Sequence, residues 1–319
     1  MLQKTIGIAG SGISGLSCAW MLADKGYRVH ILAKSFSPDI VSNRAAAFWF
    51  PYHIRNDKRG IRWCREAYTY FEQFALNKDT GISMKTLIKV LRKGVEEEEK
   101  EWIEFMPAGS FRVMNEDETD DSIHTAYEIK VPLIETQVFL PWLMHQLKEK
   151  DVLIEQKEIN DLNEEAKNFD VLINCTGLGA RVLCNDENVY PVRGQVALIE
   201  TDEHFNIYLD NERPLYIVPR RDAMIIGGTY EEHVYDEATE PETIERLLAN
   251  AYNVFPQLKK HGVKGSWAGL RPFRKDVRVE HEPGTNIIHN YGHGGSGFTL
   301  SFGCAGEVAV LTENLLLSK

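Results

Sequence analysis

Three groups of residues in this chain of 319 residues could do chemistry. The first is Gly10-Ser11-Gly12-Ile13-Ser14-Gly15. Gly10 permits a tight bend, Gly12 presents bare backbone to an approaching pyrophosphate, and Gly15 lets a following helix pack close. The phosphates then sit on free N–H groups at the positive end of that helix. The second is Arg271, which follows Gly269 and precedes Pro272 and so reads as part of a pinned loop. A guanidinium grips a carboxylate through two parallel hydrogen bonds and fixes an acid in one orientation. The third is the run Gly294-Gly295-Ser296-Gly297-Phe298-Thr299, a second backbone cradle ahead of an apolar helix.

Two other chemistries are disfavoured. His289 and His293 have the spacing of a helical metal pair, but their run is a poor helix former and lacks the Glu of H-E-x-x-H, so no metal is expected. Ser296 does not fit the G-x-S-x-G nucleophile turn, because position 298 is Phe.

The elements around the first turn are the ones a dinucleotide needs. Thr5 to Ala9 reads as a buried parallel strand. Leu16, Ala19, Trp20 and Ala23 recur at helical spacing, Gly26 ends the helix, and Tyr27 to Ala33 is a second strand. The end of that strand usually carries Asp or Glu for the ribose hydroxyls. Here it reads Ala33-Lys34-Ser35, which leaves Lys34 or Ser35 to take a ribose or phosphate, or Lys34 simply solvated. Ala45-Ala46-Ala47 would let a planar group approach the backbone, with Trp49, Phe50 and Tyr52 beside it. Residues 61–76, 135–148, 240–250 and 305–317 have helical patterns, the second started or broken by Pro141. Phe169 to Asn174, closed by Thr176-Gly177-Leu178-Gly179, returns to the first lobe. Strand-like runs at 111–114, 127–133, 190–200, 216–219 and 223–228 suggest an antiparallel sheet in a second lobe. The charge runs 94–101 and 115–121 read as solvated and carry no chemistry.

Composition narrows the partners. A formal net charge of -11 argues against nucleic acid and anionic membrane, and no apolar run reads as long enough to span a bilayer. The N-terminus lacks a signal-peptide pattern, and Ser318-Lys319 lacks the final Leu of a peroxisomal address. Five scattered cysteines without CxxC spacing fit a reducing cytoplasm, where we expect the protein.

In order along nearly the whole chain, the blocks IAGSGISGLS, VHILAKS, AAAFWFPY, INCTGLGA, YPVRGQ, YIVPR, IIGGTY, AGLRPFR and HNYGHGGSGFTLSFGCA resemble the D-amino-acid oxidase family of flavoproteins, nearest its fungal and microbial branch. The resemblance implies an α/β fold. A Rossmann-like, doubly wound parallel domain would come from residues 1–50, 135–188 and 266–319. A substrate domain on an antiparallel sheet would come from 51–134 and 189–265. It implies non-covalent FAD, with Gly10, Ser11, Gly12, Ile13, Ser14 and Gly15 at the pyrophosphate and Lys34 and Ser35 at the ribose. Ala46 and Ala47 would lie along the isoalloxazine, Ala47 replacing a family Gly. Ile159 and Thr176 would be further contacts, and Gly294 to Thr299 would face the flavin pyrimidine. Arg271 and Tyr216 would bind the substrate carboxylate, with Tyr230, Gly295 and Ser296 also at the substrate.

An arginine stands in place of Tyr230 in the branch that takes acidic D-amino acids, so neutral or apolar side chains are expected here. The lid tyrosine of the mammalian branch has no match in Asn211-Glu212-Arg213, so access and product release should differ. The implied reaction moves hydride from the α-carbon to flavin N5. It then reduces O2 to H2O2 and releases an imino acid that hydrolyses to a 2-oxo acid and ammonia. The implied partners are a small D-amino acid and O2, with a homodimer left open. The competing readings are a glycine or sarcosine oxidase-like enzyme, a dehydrogenase with another acceptor, or a flavin module without turnover.

Overall fold

A computed structural model describes residues 3–92, 97–119, 122–201 and 203–318. Residues 94–96 and 120–121 of the two charge runs, and Lys319, lie outside the described residues.

The cofactor side is a parallel sheet in the order Leu153–Gln156, Arg28–Ala33, Thr5–Ala9, Val171–Asn174, Ile287–His293. Val171–Asn174 and Ile287–His293 are buried along their whole length, as suits strands covered on both faces. The chain starts in the middle of this sheet and winds outwards in both directions. The crevice beyond the carboxyl ends of Thr5–Ala9 and Val171–Asn174 is therefore the topological switch point at which such sheets take ligands.

The other half is mostly antiparallel. Ile82–Arg92 pairs with Ile123–Ile134, and Ile207–Asp210, Leu215–Pro219, Met224–Gly227 and Tyr190–Ile199 follow across the sheet. Helix Pro241–Val254 buries Leu247 and Ala251 against Ala197, Ile217 and Ile226. Ile82–Arg92 has no counterpart in the sequence reading.

One strand of 19 residues, Val263–His281, joins the halves. Its first part, to Phe273, is antiparallel to Tyr190–Ile199. Its second part is antiparallel to Ile287–His293, with a register shift between Phe273 and Arg278. This corrects the reading of Arg271 as a loop residue. Gly269 and Pro272 look like punctuation in the sequence, yet Gly269 stands opposite Gly194 and Pro272 opposite Pro191 within the ladder. The division expected at residue 266 falls inside this strand.

The helices differ from expectation mainly at their ends. Thr136–Glu149 runs unbroken through Pro141. The last helix, Gly297–Leu317, begins at Gly297 rather than Ala305. With the turn before it, this helix is long and apolar enough to cross a bilayer, which overturns the statement that no run is. Small and hydroxyl residues within it masked its length. In the fold it packs against helices Ile13–Asp24 and Lys58–Phe74. The contact is backbone on backbone, since a Cβ on Gly303 would lie 2.2 Å from the Trp63 carbonyl oxygen. Gly303→Ala should therefore cost about 1–3 kcal/mol through overpacking, read as a lower urea midpoint. An unchanged midpoint would refute the close crossing.

Candidate active site

The glycine turn has the geometry its sequence demands. Gly10 has φ 115°, and a Cβ there would lie 2.4 Å from the Cys175 carbonyl oxygen. A Cβ on Gly15 would lie 2.0 Å from the Gly10 carbonyl oxygen, so helix Ile13–Asp24 rests directly on its own turn. No side chain caps this helix at Gly12. Ser42 Oγ accepts from Ile13 N at 3.0 Å, closing one side.

This turn opens into a cavity of about 1440 Å³. Of the residues singled out in the sequence, Gly10, Ser11, Gly12, Ile13, Ser14, Lys34, Ser35, Ala46, Ala47, Ile159, Thr176, Tyr216, Tyr230, Arg271, Gly294, Gly295, Gly297, Phe298 and Thr299 line it. Gly15 and Ser296 do not. Gly15 serves the helix–strand contact. Ser296 is buried, and its Oγ donates to the Tyr52 carbonyl at 2.5 Å. At one end of the cavity Lys34 Nζ is 2.7 Å from Glu158 Oε1, and Ser11 Oγ donates to the Ser35 carbonyl at 2.5 Å.

Arg271 lies at the other end. Its guanidinium folds across Gly194, where a Cβ would be 2.1 Å from Nη2, and Nη1 donates to the Thr229 carbonyl at 2.9 Å. Tyr216 stands opposite Gly227 in register and lays its ring over it, 2.1 Å from where a Cβ would be. Two residues the sequence reading left out of the site, Tyr52 and His53, complete this end. Tyr52 is centred 6.3 Å from Tyr230, and His53 4.2 Å from Tyr52 and 4.9 Å from Tyr230. A Cβ on Gly295 would sit 3.1 Å from Tyr52 and 3.4 Å from Arg271, so this glycine is wedged between them. Phe48, Phe50, Leu209 and Leu215 supply apolar wall. Tyr52 was visible in the sequence only as an aromatic beside Ala45–Ala47. Nothing local marks Gly194 or Gly227.

Burial pushes the Tyr52 hydroxyl up to about 12 against the pull of Arg271. Burial also raises Tyr216 and Tyr230. All three phenols therefore remain donors at neutral pH. Burial, and then Arg271, lowers His53, which leaves a neutral imidazole. Glu231 also lines the cavity, but its carboxylate is held by Arg193 at 2.5 Å and by Gln195 at 2.8 Å. Among the described residues no carboxylate pairs with Arg271. This end is therefore built for an anion with a flat binding face.

A family model described as FAD dependent oxidoreductase matches residues 5–311. The chain belongs to that family. A D-amino-acid oxidase of Rubrobacter xylanophilus is 34% identical over 310 residues, 95% of this chain and 94% of that protein. One of Dictyostelium discoideum is 33% identical over 315 residues, 96% of this chain and 90% of that protein. Among solved structures, a glycine oxidase from Bacillus cereus superposes with TM-score 0.80 at 23% identity, covering 98% of this chain and 95% of that one. An L-proline dehydrogenase from P. horikoshii gives 0.82 at 16%, covering 98% and 94%. At such identities these two share the fold alone.

The site fits the cofactor of this FAD-dependent family. An uncapped helix start, a glycine turn without room for a Cβ and the small side chains of Ala46 and Ala47 line one cavity. Its volume exceeds the ~300–1,000 Å³ typical of a site for a drug-sized ligand, leaving room for a large cofactor and a small substrate.

Two histidines of the last parallel strand bear on stability. His289 and His293 are both pushed down to about 4 by burial, His289 also by Arg278. Unfolded histidine protonates near 6.5. The depressed folded values mean that their contribution is present above about pH 6.5 and is lost as pH falls towards 4. Urea midpoints should drop across that window, and His289→Gln should flatten part of the drop. A slope unchanged by the substitution would contradict the burial of a neutral His289.

Proposed function

We propose that the protein is a D-amino-acid oxidase acting on neutral or apolar substrates, with O2 as final acceptor and H2O2, a 2-oxo acid and ammonia as products. The carrying observation is Arg271, unpaired with any described carboxylate, laid over Gly194 among protonated tyrosines and in one cavity with the glycine turn. Curated relatives of this length named D-amino-acid oxidase support the handedness. The apolar wall of Phe48, Phe50, Leu209 and Leu215, with Tyr230 rather than an arginine, supports the side-chain preference.

When bound, FAD supplies the hydride acceptor. Gly10 to Ser14 would hold its pyrophosphate, Ala46, Ala47, Gly294, Gly295 and Gly297 would border its ring, and Ile159 and Thr176 would be further contacts. The chain's task is then to position the substrate. Arg271 would take the α-carboxylate in two hydrogen bonds and Tyr216 and Tyr230 would donate to it, which fixes the orientation of the α-carbon. The substrate amine must lose its proton to react, so turnover should fall at low pH. All five cysteines are free thiols, four of them buried, which supports the cytoplasm as the proposed location.

Absorbance without oxygen tests the reading. D-alanine and D-methionine should bleach the flavin bands and their L-enantiomers should not. Bleaching by glycine or sarcosine alone would move the protein to the amine oxidases, and no bleaching would remove the activity. The carboxylate grip has its own test. Gly194→Ala should raise KM for D-alanine about 10-fold or more with FAD still bound, as Arg271→Ala should, since charge-assisted hydrogen bonds are lost. An unchanged KM in both would refute the role of Arg271.

A further inference from the structure

The tip of strand Arg28–Ala33, where a carboxylate ordinarily takes the adenosine ribose hydroxyls, carries Lys34 instead. The fold brings a carboxylate there from another segment. Leu153–Gln156 is the parallel neighbour of Arg28–Ala33. Beyond its end the two segments stay tied. Lys157 N donates to the Ala33 carbonyl at 2.9 Å, Gln156 Nε2 donates to the Lys34 carbonyl at 3.1 Å, and Lys34 Nζ lies 2.7 Å from Glu158 Oε1. Lys34 and Glu158 both line the cavity that holds the glycine turn.

We propose that Glu158 is the residue that accepts the adenosine ribose hydroxyls of FAD, with Lys34 as its positioning partner. An ionised carboxylate is acceptor-only and offers two oxygens. Lys34 needs one of them, Oε1, so Oε2 is left for the vicinal hydroxyls. Lys34 itself donates only, and cannot replace the acceptor that a ribose diol requires. Asp39 is the other carboxylate on this part of the wall. It sits in a turn closed by its own N–H to the Phe36 carbonyl, and among the described residues no hydrogen bond ties its side chain to the strand tip. The acceptor has moved from the end of Arg28–Ala33 to the segment just after Leu153–Gln156, and the charge at the tip of Arg28–Ala33 has reversed with it.

This inference rests on the FAD dependence of the family and is independent of the substrate. Titration of apoprotein with FAD, and with an FAD analogue whose adenosine ribose lacks both hydroxyls, tests it by flavin fluorescence. The wild-type protein should favour FAD over the analogue by about tenfold or more. Glu158→Ala, which removes the acceptor, should abolish that preference while binding the analogue as the wild type does, and Asp39→Ala should keep the preference. Discrimination that survives in Glu158→Ala, or disappears in Asp39→Ala instead, would overturn the assignment. So would its absence in the wild type. Equal analogue binding by both proteins shows that Glu158→Ala is folded, so a damaged cavity cannot imitate the expected result.

Discussion

The site depends on one shared strand. Val263–His281 is laddered to Tyr190–Ile199 in its first part and to Ile287–His293 in its second. Ladder bonds fix register to one residue, and a slip by one would turn every side chain to the opposite face. The guanidinium of Arg271 is thus set over Gly194 by the first ladder. The turn Gly294–Ser296 is set at the end of the second, since Phe273 pairs with His293. Arg271 and the Gly294–Ser296 part of the cavity wall are held at a fixed separation by backbone pairing, with no loop between them to absorb error.

Glycine recurs where side chains must lie flat on that backbone. Gly194 accepts the Arg271 guanidinium, Gly227 and Gly228 accept the Tyr216 ring, and Gly295 is wedged between Tyr52 and Arg271. Gly194 and Gly227 lie within strands, not turns. Each glycine is required by a residue distant in sequence, on another strand or segment.

That distinction explains what the sequence reading could reach. The turn Gly10–Gly15 is local: strand, glycine spacing and helix lie within one short stretch, so its geometry was legible. Arg271 was legible by residue type and neighbours, while its place on a strand was not, because the strand is defined by partners on both sides. Glu158 meets Lys34 only because Leu153–Gln156 pairs with Arg28–Ala33. His53 meets Tyr230 only because the chain after Ala47 returns beside the second half of the sheet. Pairings across so many residues leave no period in the sequence to read.

The segment Ala45–Ala47 shows how charge completes the cavity. It has no regular secondary structure, so its carbonyls need partners from elsewhere. Arg220, wholly buried at its side chain, donates to the Ala45 and Ala46 carbonyls at 3.1 and 3.4 Å, and Ile134 N donates to the Ala47 carbonyl at 2.9 Å. Asp222 at 2.5 Å and Glu135 at 3.8 Å compensate that guanidinium. A buried cation without such partners would be strongly destabilising. Two other arginines are treated differently. Arg193 is neutralised by Glu231 and Glu240. Arg271 has no described carboxylate of its own. Arg193 and Arg220 are thus committed to holding the structure around the cavity, whose lining also includes Arg44 and Arg246. Arg271, set at the end lined by Tyr52, Tyr216 and Tyr230, keeps its charge for a ligand, so this end of the cavity suits an acid.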